Sequence, residues 1–326
     1  MNKLHIRNKK IIVTGASGFI GSALVEELLK KGLNNEVVGM DLVSNDRLKV
    51  YKNYKFIPID LTHESINPNA KVDLVIHLAS PIGVNYVKSN PSKTLKDSDN
   101  INKIIHDYCS ATNTPIIYSS SSEVFGENSS INSESVFSIK PYSNNPRWVY
   151  AAAKIHGEML FQSASYKSCV VRFFNIVGPE QTTNGMVIPT FVEQAKNNVS
   201  LSVTDSTRSF CDIRECIEYL MYISNGLLND PKYLGKEFNI GNDQNVTSMY
   251  DLADMIITKT FSESPVEQTY GAEIVNRILD MDDEILLDMD VTHYSLDEIL
   301  DNIILKDEEE EAYDESLDKI FEKDLW

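Results

Sequence analysis

Short apolar runs alternate with helix-length amphipathic stretches through the first two-thirds of the chain. The runs are Ile11-Ile12-Val13-Thr14, Glu36-Val37-Val38-Gly39-Met40, Lys55-Phe56-Ile57-Pro58-Ile59-Asp60, Val72 to Ala79 and Pro115-Ile116-Ile117-Tyr118. Each is apolar on both faces, as expected of parallel strands covered by helices on either side. The stretch from Gly18 to Lys31 and that from Pro91 to Ser110 read as helices between them. Repeated βαβ units predict an α/β fold built on a doubly wound parallel sheet. Later, Cys169 to Asn175 and Glu237 to Gly241 read as strands, and Trp148–Ala164, Val187–Lys196 and Ser248–Thr258 as helices. Leu296, Ile299, Leu300, Ile303 and Ile304 keep helical spacing, so Ser295 to Leu305 is expected to pack on the body.

Composition supports a full core: 42% of the 326 residues are hydrophobic. The formal net charge of −18 is concentrated near the end, where Asp280 to Trp326 holds nineteen Asp and Glu against three Lys. The remainder is almost neutral. Neither part offers a basic surface, which argues against nucleic acid or an anionic membrane as partner. The block Asp307 to Glu311 reads as a solvated run without a catalytic role. Cys109, Cys169, Cys211 and Cys216 have neither C-x-x-C spacing nor paired histidines, so no metal site and no disulfide framework is expected. No apolar run approaches the ~20 residues that span a bilayer, and the basic start leads into a strand pattern, not a secretory core. The expectation is a soluble, cytoplasmic protein.

Chemistry enters where the first strand ends. Gly15-Ala16-Ser17-Gly18-Phe19-Ile20-Gly21 is a G-x-x-G-x-x-G turn between a strand and a helix. Glycine there allows a tight turn, lets the backbone approach a pyrophosphate and brings the helix N-terminus up to the phosphates. Asp41 closes the second strand twenty residues after Gly21. That is where a carboxylate accepts hydrogen bonds from an adenosine ribose, and it would repel a 2′-phosphate, so NAD is expected over NADP.

Tyr150 and Lys154 are four residues apart and share a face of the expected helix. A cation beside a phenol favours the phenolate, which would make Tyr150 a base for a substrate alcohol. Ser119 to Glu123, after the strand 115–118, gathers hydroxyls and a carboxylate at the sheet edge where open α/β sheets bind ligands. His77, at a strand end, reads as a core histidine. Arg208 and Arg277 stand out as cations suited to diphosphate recognition.

These landmarks together resemble the extended short-chain dehydrogenase/reductase family, in its nucleotide-sugar branch. They are Thr14 to Gly21, Asp41, Asp60-Leu61, His77-Leu78-Ala79-Ser80, Ser121 with Val124-Phe125-Gly126, and Tyr150 with Lys154. The resemblance runs from about Lys10 to Asp280. It implies NAD bound by a Rossmann domain over residues 1–178, to which 209–245 returns, contacting Gly15, Gly18, Phe19, Ile20, Gly21, Asp41, Asp60, Leu61, Leu78, Ala79, Tyr150 and Lys154. A smaller C-terminal α/β substrate-binding domain would comprise 179–208 and 246–326, with an acidic tail at 307–326. It also implies Tyr150 as general base, Lys154 as the cation that lowers its pKa, and Ser121 as the hydroxyl that polarises the substrate oxygen. Arg147, Asn175, Arg208 and Arg277 would contact a UDP-linked nucleotide sugar, whose C4 hydroxyl is oxidised to a 4-keto intermediate. A homodimer through the helices 91–110 and 148–164 follows from the same likeness.

Within that branch a 4,6-dehydratase carries Asp-Glu directly after the catalytic hydroxyl, where this chain has Ser122-Glu123. The Ser-Glu pair, with Pro146-Arg147 ahead of Trp148, looks most like UDP-glucuronic acid decarboxylases, in which Glu123 or Arg277 would assist protonation. Gly178 to Gln181 and Asn184 to Pro189 look more like the 4-epimerases. An NAD-binding sensor without turnover is the non-enzyme reading, which the joint presence of Ser121, Tyr150 and Lys154 disfavours.

Overall fold

A computed structural model describes residues 6–81, 83–127, 130–137, 147–183, 185–270, 274 and 276–306, excepting the side chains of Val84 and Arg147. The acidic run from Asp307 onward lies outside the described residues.

Seven strands form the central sheet: β1 (Lys10–Thr14), β2 (Glu36–Asp41), β3 (Tyr54–Pro58), β4 (Leu74–His77), β5 (Ile116–Ser121), β6 (Ser168–Phe173) and β7 (Glu237–Ile240). Their order is β7-β6-β5-β4-β1-β2-β3, and every pairing is parallel. The chain winds outward from β1 in both directions, so the α/β Rossmann-type fold reverses between β1 and β4. Ligands bind at such a reversal, outside the carboxyl ends of the strands. Register puts Thr14 between Met40 and His77 at that edge, and Ser121 beside Phe173.

The long helices are α1 (Phe19–Leu28), α2 (Pro91–Thr112), α3 (Arg147–Gln162), α4 (Val187–Lys196), α5 (Ile213–Asn229), α6 (Met249–Lys259) and α7 (296–306). On one face of the sheet, Leu24, Val25 and Leu28 of α1 and Leu220, Ile223 and Leu227 of α5 cover Ile11 and Val13. On the other, Ile101 and Ile105 of α2 and Phe161 of α3 cover Ile12, Val75 and Tyr118. Two-sided burial is what the unbroken apolar runs require. A separate core joins Phe191 and Val192 of α4, Leu252 and Ile256 of α6, and Leu296, Ile299 and Leu300 of α7. It is the centre of a smaller C-terminal body. No helix among the described residues is long and apolar enough to cross a membrane.

Three expectations are corrected. Ser119 to Ser121 belong to β5, because they pair with Val171 to Phe173 of the neighbouring strand. Asp60 lies past the end of β3 at Pro58. The crossover from β3 to β4 contains turns and no helix. There Pro68 lacks an amide donor, and the Asn67 side chain takes the Asn69 amide at 3.0 Å, a local bond that competes with helix formation.

Candidate active site

The glycine turn is shaped by contact. Gly15 has φ +69°, and a Cβ there would stand 2.9 Å from the Ala79 nitrogen. A Cβ on Gly21 would stand 2.0 Å from the Gly15 carbonyl oxygen, so only glycine lets α1 press onto the turn. Gly18 caps α1 without a side-chain bond, and no acidic residue occupies the first turn. The helix therefore opens toward the sheet edge with unpaired N–H groups and its positive dipole end, from Phe19 and Ile20 onward. Asp41 is tied to this turn: its Oδ2 accepts the Ser17 amide at 3.0 Å and its Oδ1 the Leu42 amide at 2.7 Å. The backbone cradle and the adjacent carboxylate fit a dinucleotide pyrophosphate and ribose.

A buried row supports the cradle from below. Thr14 Oγ1 accepts the Ala79 amide at 3.1 Å and lies 2.7 Å from His77 Nδ1, while His77 Nε2 lies 3.2 Å from Asn102 Oδ1. The ring accepts from Thr14 and donates to Asn102. Burial, reinforced by the Lys154 charge, pushes the His77 pKa down to about 3, so the ring is neutral at physiological pH. It is a positioning group under Leu78 and Ala79, in keeping with a core histidine. Leu61 is itself core, at 5% exposed. Asp60 builds a turn by accepting from the Thr62 amide and hydroxyl at 2.9 and 2.6 Å, bonds that lower its pKa.

At the ends of β5 and in α3 the candidate catalytic groups converge. Ser121 and Tyr150 are joined by a side-chain hydrogen bond. Ser121 Oγ also accepts the Glu123 amide at 3.3 Å, at the start of the 3₁₀ turn Ser122–Phe125. Lys154 is 4% exposed and donates from Nζ to the Ser119 carbonyl at 2.9 Å, with its charge 5.6 Å from the Tyr150 ring centroid. Burial lowers the Lys154 pKa to about 8, against the pull of Glu158. The Tyr150 phenol departs from the sequence expectation: burial first, then the Glu123 carboxylate, raise its pKa, and only the Ser121 bond opposes them. Lys154 bonds to the backbone of β5 and not to the phenol, so in the protein alone Tyr150 keeps its proton.

Arg277 is also differently placed. Its guanidinium is 2% exposed, with Nη2 3.7 Å from Glu123 Oε2 and hydrogen-bonded to the Gly126 carbonyl. It therefore faces the catalytic turn. Its backbone bridges Arg208, and Leu279 two residues on packs with Val124, Phe125, Ile131 and Phe174 beneath that turn. Asn175, at φ 38°, donates to the Ser209 carbonyl at 2.8 Å and so holds the strand that carries Arg208. Arg147 opens α3, and its side chain lies outside the described set. Sequence reasoning gave no role to Glu158 or Arg172; the spacing of Glu158, four residues after Lys154, was the available signal.

A model of the NAD-dependent epimerase/dehydratase family matches residues 11–241. The chain belongs to that family. NAD is the family's cofactor, and the Gly15 to Gly21 cradle with Asp41 is where this member would hold it. The chain is 29% identical over 294 residues to a UDP-N-acetyl-alpha-D-glucosaminuronate decarboxylase of Bacillus cytotoxicus, covering 82% of this chain and 88% of that one. It is 29% identical over 268 residues to UDP-glucuronic acid decarboxylase 6 of Arabidopsis thaliana, covering 78% and 75%. In fold it matches a UDP-N-acetylglucosamine 4-epimerase from Methanobrevibacter ruminantium with a TM-score of 0.78 at 23% identity, over 93% of this chain and 99% of that one. Relatives of this kind support NAD-dependent modification of a nucleotide sugar as the chain's chemistry.

Proposed function

We propose that this family member decarboxylates a UDP-linked uronic acid, with UDP-glucuronic acid as the leading substrate. The observation that carries the reading is the Glu123–Arg277 pair at 3.7 Å, set against the Ser121–Tyr150 hydrogen bond. A guanidinium fork is suited to a carboxylate, and a buried one gains more from it than an exposed one does. When bound, NAD supplies the acceptor for the hydrogen on C4 and a positive ring charge near the phenol. Tyr150, once its proton has been released to solvent and the phenolate is held by Lys154 and the charge of the bound cofactor, takes the C4 hydroxyl proton, with Ser121 bonded to the same oxygen. Oxidation at C4 makes the sugar a β-keto acid, whose C5–carboxyl bond breaks to release carbon dioxide and leave an enolate. Arg277 exchanges Glu123 for the substrate carboxylate and holds it until it leaves as carbon dioxide, and Glu123, so released, takes a proton from water and returns it to C5.

The second reading, a 4-epimerase, is favoured by the epimerase-like stretch Gly178 to Gln181, whose Glu180 is ion-paired to Arg47 in this fold. The smaller body around α4, α6 and α7 would hold the nucleotide sugar in both cases. Both readings also carry a cytoplasmic homodimer joined through α2 and α3, which sedimentation would test. Incubating the protein with NAD and UDP-glucuronic acid, then UDP-glucose, and weighing the products separates the two. Loss of carbon dioxide is the expected result, alone if the C4 hydride is returned and with two hydrogens more if it stays on the cofactor; intact UDP-glucuronic acid with epimerised UDP-glucose overturns it.

A further inference from the structure

Glu158 follows Lys154 by one helical turn on α3, and the two side chains share a face. It is 1% exposed, a burial that a lone carboxylate tolerates poorly. Arg172 of β6 resolves that cost by donating to both of its oxygens, Nε to Oε1 at 2.9 Å and Nη2 to Oε2 at 2.6 Å. Arg172 is 5% exposed and its guanidinium lies 5.2 Å from the ring centroids of both Phe125 and Phe137. Its Nη2 also reaches Glu237 Oε2 at 3.0 Å, where Glu237 is 40% exposed. Charges thus alternate in a row from the site to the protein surface: Lys154, Glu158, Arg172, Glu237.

Taking Lys154 as the site's cation, as proposed above, we propose that Glu158, clamped by Arg172, is a positioning residue that keeps Lys154 charged. The groups facing Lys154 are Tyr150 and Glu158 of its own helix, Tyr118 and the Ser119 carbonyl of β5, and His77 at the end of β4. His77 is neutral and both tyrosines hold their protons, which leaves Glu158 as the anion in that set. Arg172 satisfies the buried Glu158 carboxylate by donating to both of its oxygens and so fixes it beside Lys154. Phe125, under the Arg172 guanidinium, closes the turn that carries Glu123, so the same clamp ties α3 to that turn.

Calorimetric titration of the full chain with NAD between pH 6 and pH 10 tests this without reference to the sugar. Wild-type affinity is expected to fall as pH rises through the titration of Lys154. In Glu158→Gln the midpoint of that fall moves down by about 1 pH unit, the lower end of what an opposite charge within about 4–6 Å brings. Glu158→Asp, which keeps the charge on a shorter arm, returns the midpoint toward wild type and guards against a Gln variant that does not fold. Lys154→Met removes the fall. If Lys154→Met removes it while Glu158→Gln keeps the wild-type midpoint, or if Asp behaves as Gln does, the role of Glu158 is overturned. A fall that persists in Lys154→Met overturns the assignment of Lys154, and this inference with it.

Discussion

Replacing Gly21 with alanine adds one methyl group at the tightest contact of the cofactor cradle. That Cβ would lie 2.0 Å from the Gly15 carbonyl oxygen, 2.8 Å from the Gly15 carbonyl carbon and 3.0 Å from the Ala16 Cα. All three are backbone atoms of the turn, so no side chain can swing aside, and α1 must retreat by roughly 1 Å to restore van der Waals contact. Overpacking of this kind costs about 1–3 kcal/mol. At about 2–4 °C per kcal/mol for a large domain, melting falls by roughly 2–12 °C. With NAD held in this cradle, the same retreat would carry the Phe19 and Ile20 amides away from its pyrophosphate. One hydrogen bond to a charged group is worth about 1.5–3 kcal/mol, so NAD affinity falls roughly 10- to 100-fold. Gly32→Ala is the control, because Gly32 has φ +93° but open space around its would-be Cβ. It costs about 1–2 kcal/mol of backbone strain and leaves NAD affinity unchanged. Calorimetry with NAD and thermal unfolding read both effects. A Gly21→Ala protein that binds NAD as wild type does, or a Gly32→Ala protein that loses NAD equally, refutes the close-approach argument.

Tyr150→Phe keeps the ring that packs in α3 and removes the proton acceptor, so turnover should fall about 10²- to 10⁴-fold while NAD still binds; sustained product formation in mass spectra would contradict Tyr150 as base. Arg277→Gln leaves Glu123 and the Gly126 carbonyl without their cation. Reduction of bound NAD by UDP-glucuronic acid, followed at 340 nm, should drop by about 10- to 100-fold, and reduction by UDP-glucose far less; equal losses would remove the carboxylate argument. His77 has a folded pKa near 3 against an ordinary 6.5, so between those values the unfolded chain binds the extra proton. Stability is therefore full above about pH 6.5 and is lost as pH falls, by up to roughly 1.4 kcal/mol per pH unit. Urea unfolding at pH 7 and pH 5.5 should show that loss in wild type and less of it in a folded His77→Asn protein. Equal slopes would mean that His77 does not carry it.

The order of apolar runs and the glycines around Gly18 made most of the sheet and the cradle legible, because both are local: a run length, a spacing of three, a carboxylate at a strand end. The β3–β4 crossover was less so, since helix-length spacing hid the local competition of Asn67 and Pro68. Serines are poor strand formers, so Ser119 to Ser121 read as a loop, and it is pairing with Val171, Arg172 and Phe173 that makes them a strand.

The sequence by itself determined the α/β class, the glycine turn between the first strand and α1, Asp41 at the end of the second strand, and the pairing of Tyr150 with Lys154 on one helix face. Tertiary structure decided the charge states and the neighbours. Burial and Glu123 keep the Tyr150 phenol protonated in the protein alone, which a Tyr-x-x-x-Lys spacing cannot convey. Arg277 is brought against a turn more than 150 residues earlier because Leu279 shares a small core with Phe125 and Phe174. Glu158 can stand buried one turn from Lys154 only because Arg172, from another strand, donates to both of its oxygens. Spacing reports which side chains share an element; solvation and long-range contact set what those side chains do there.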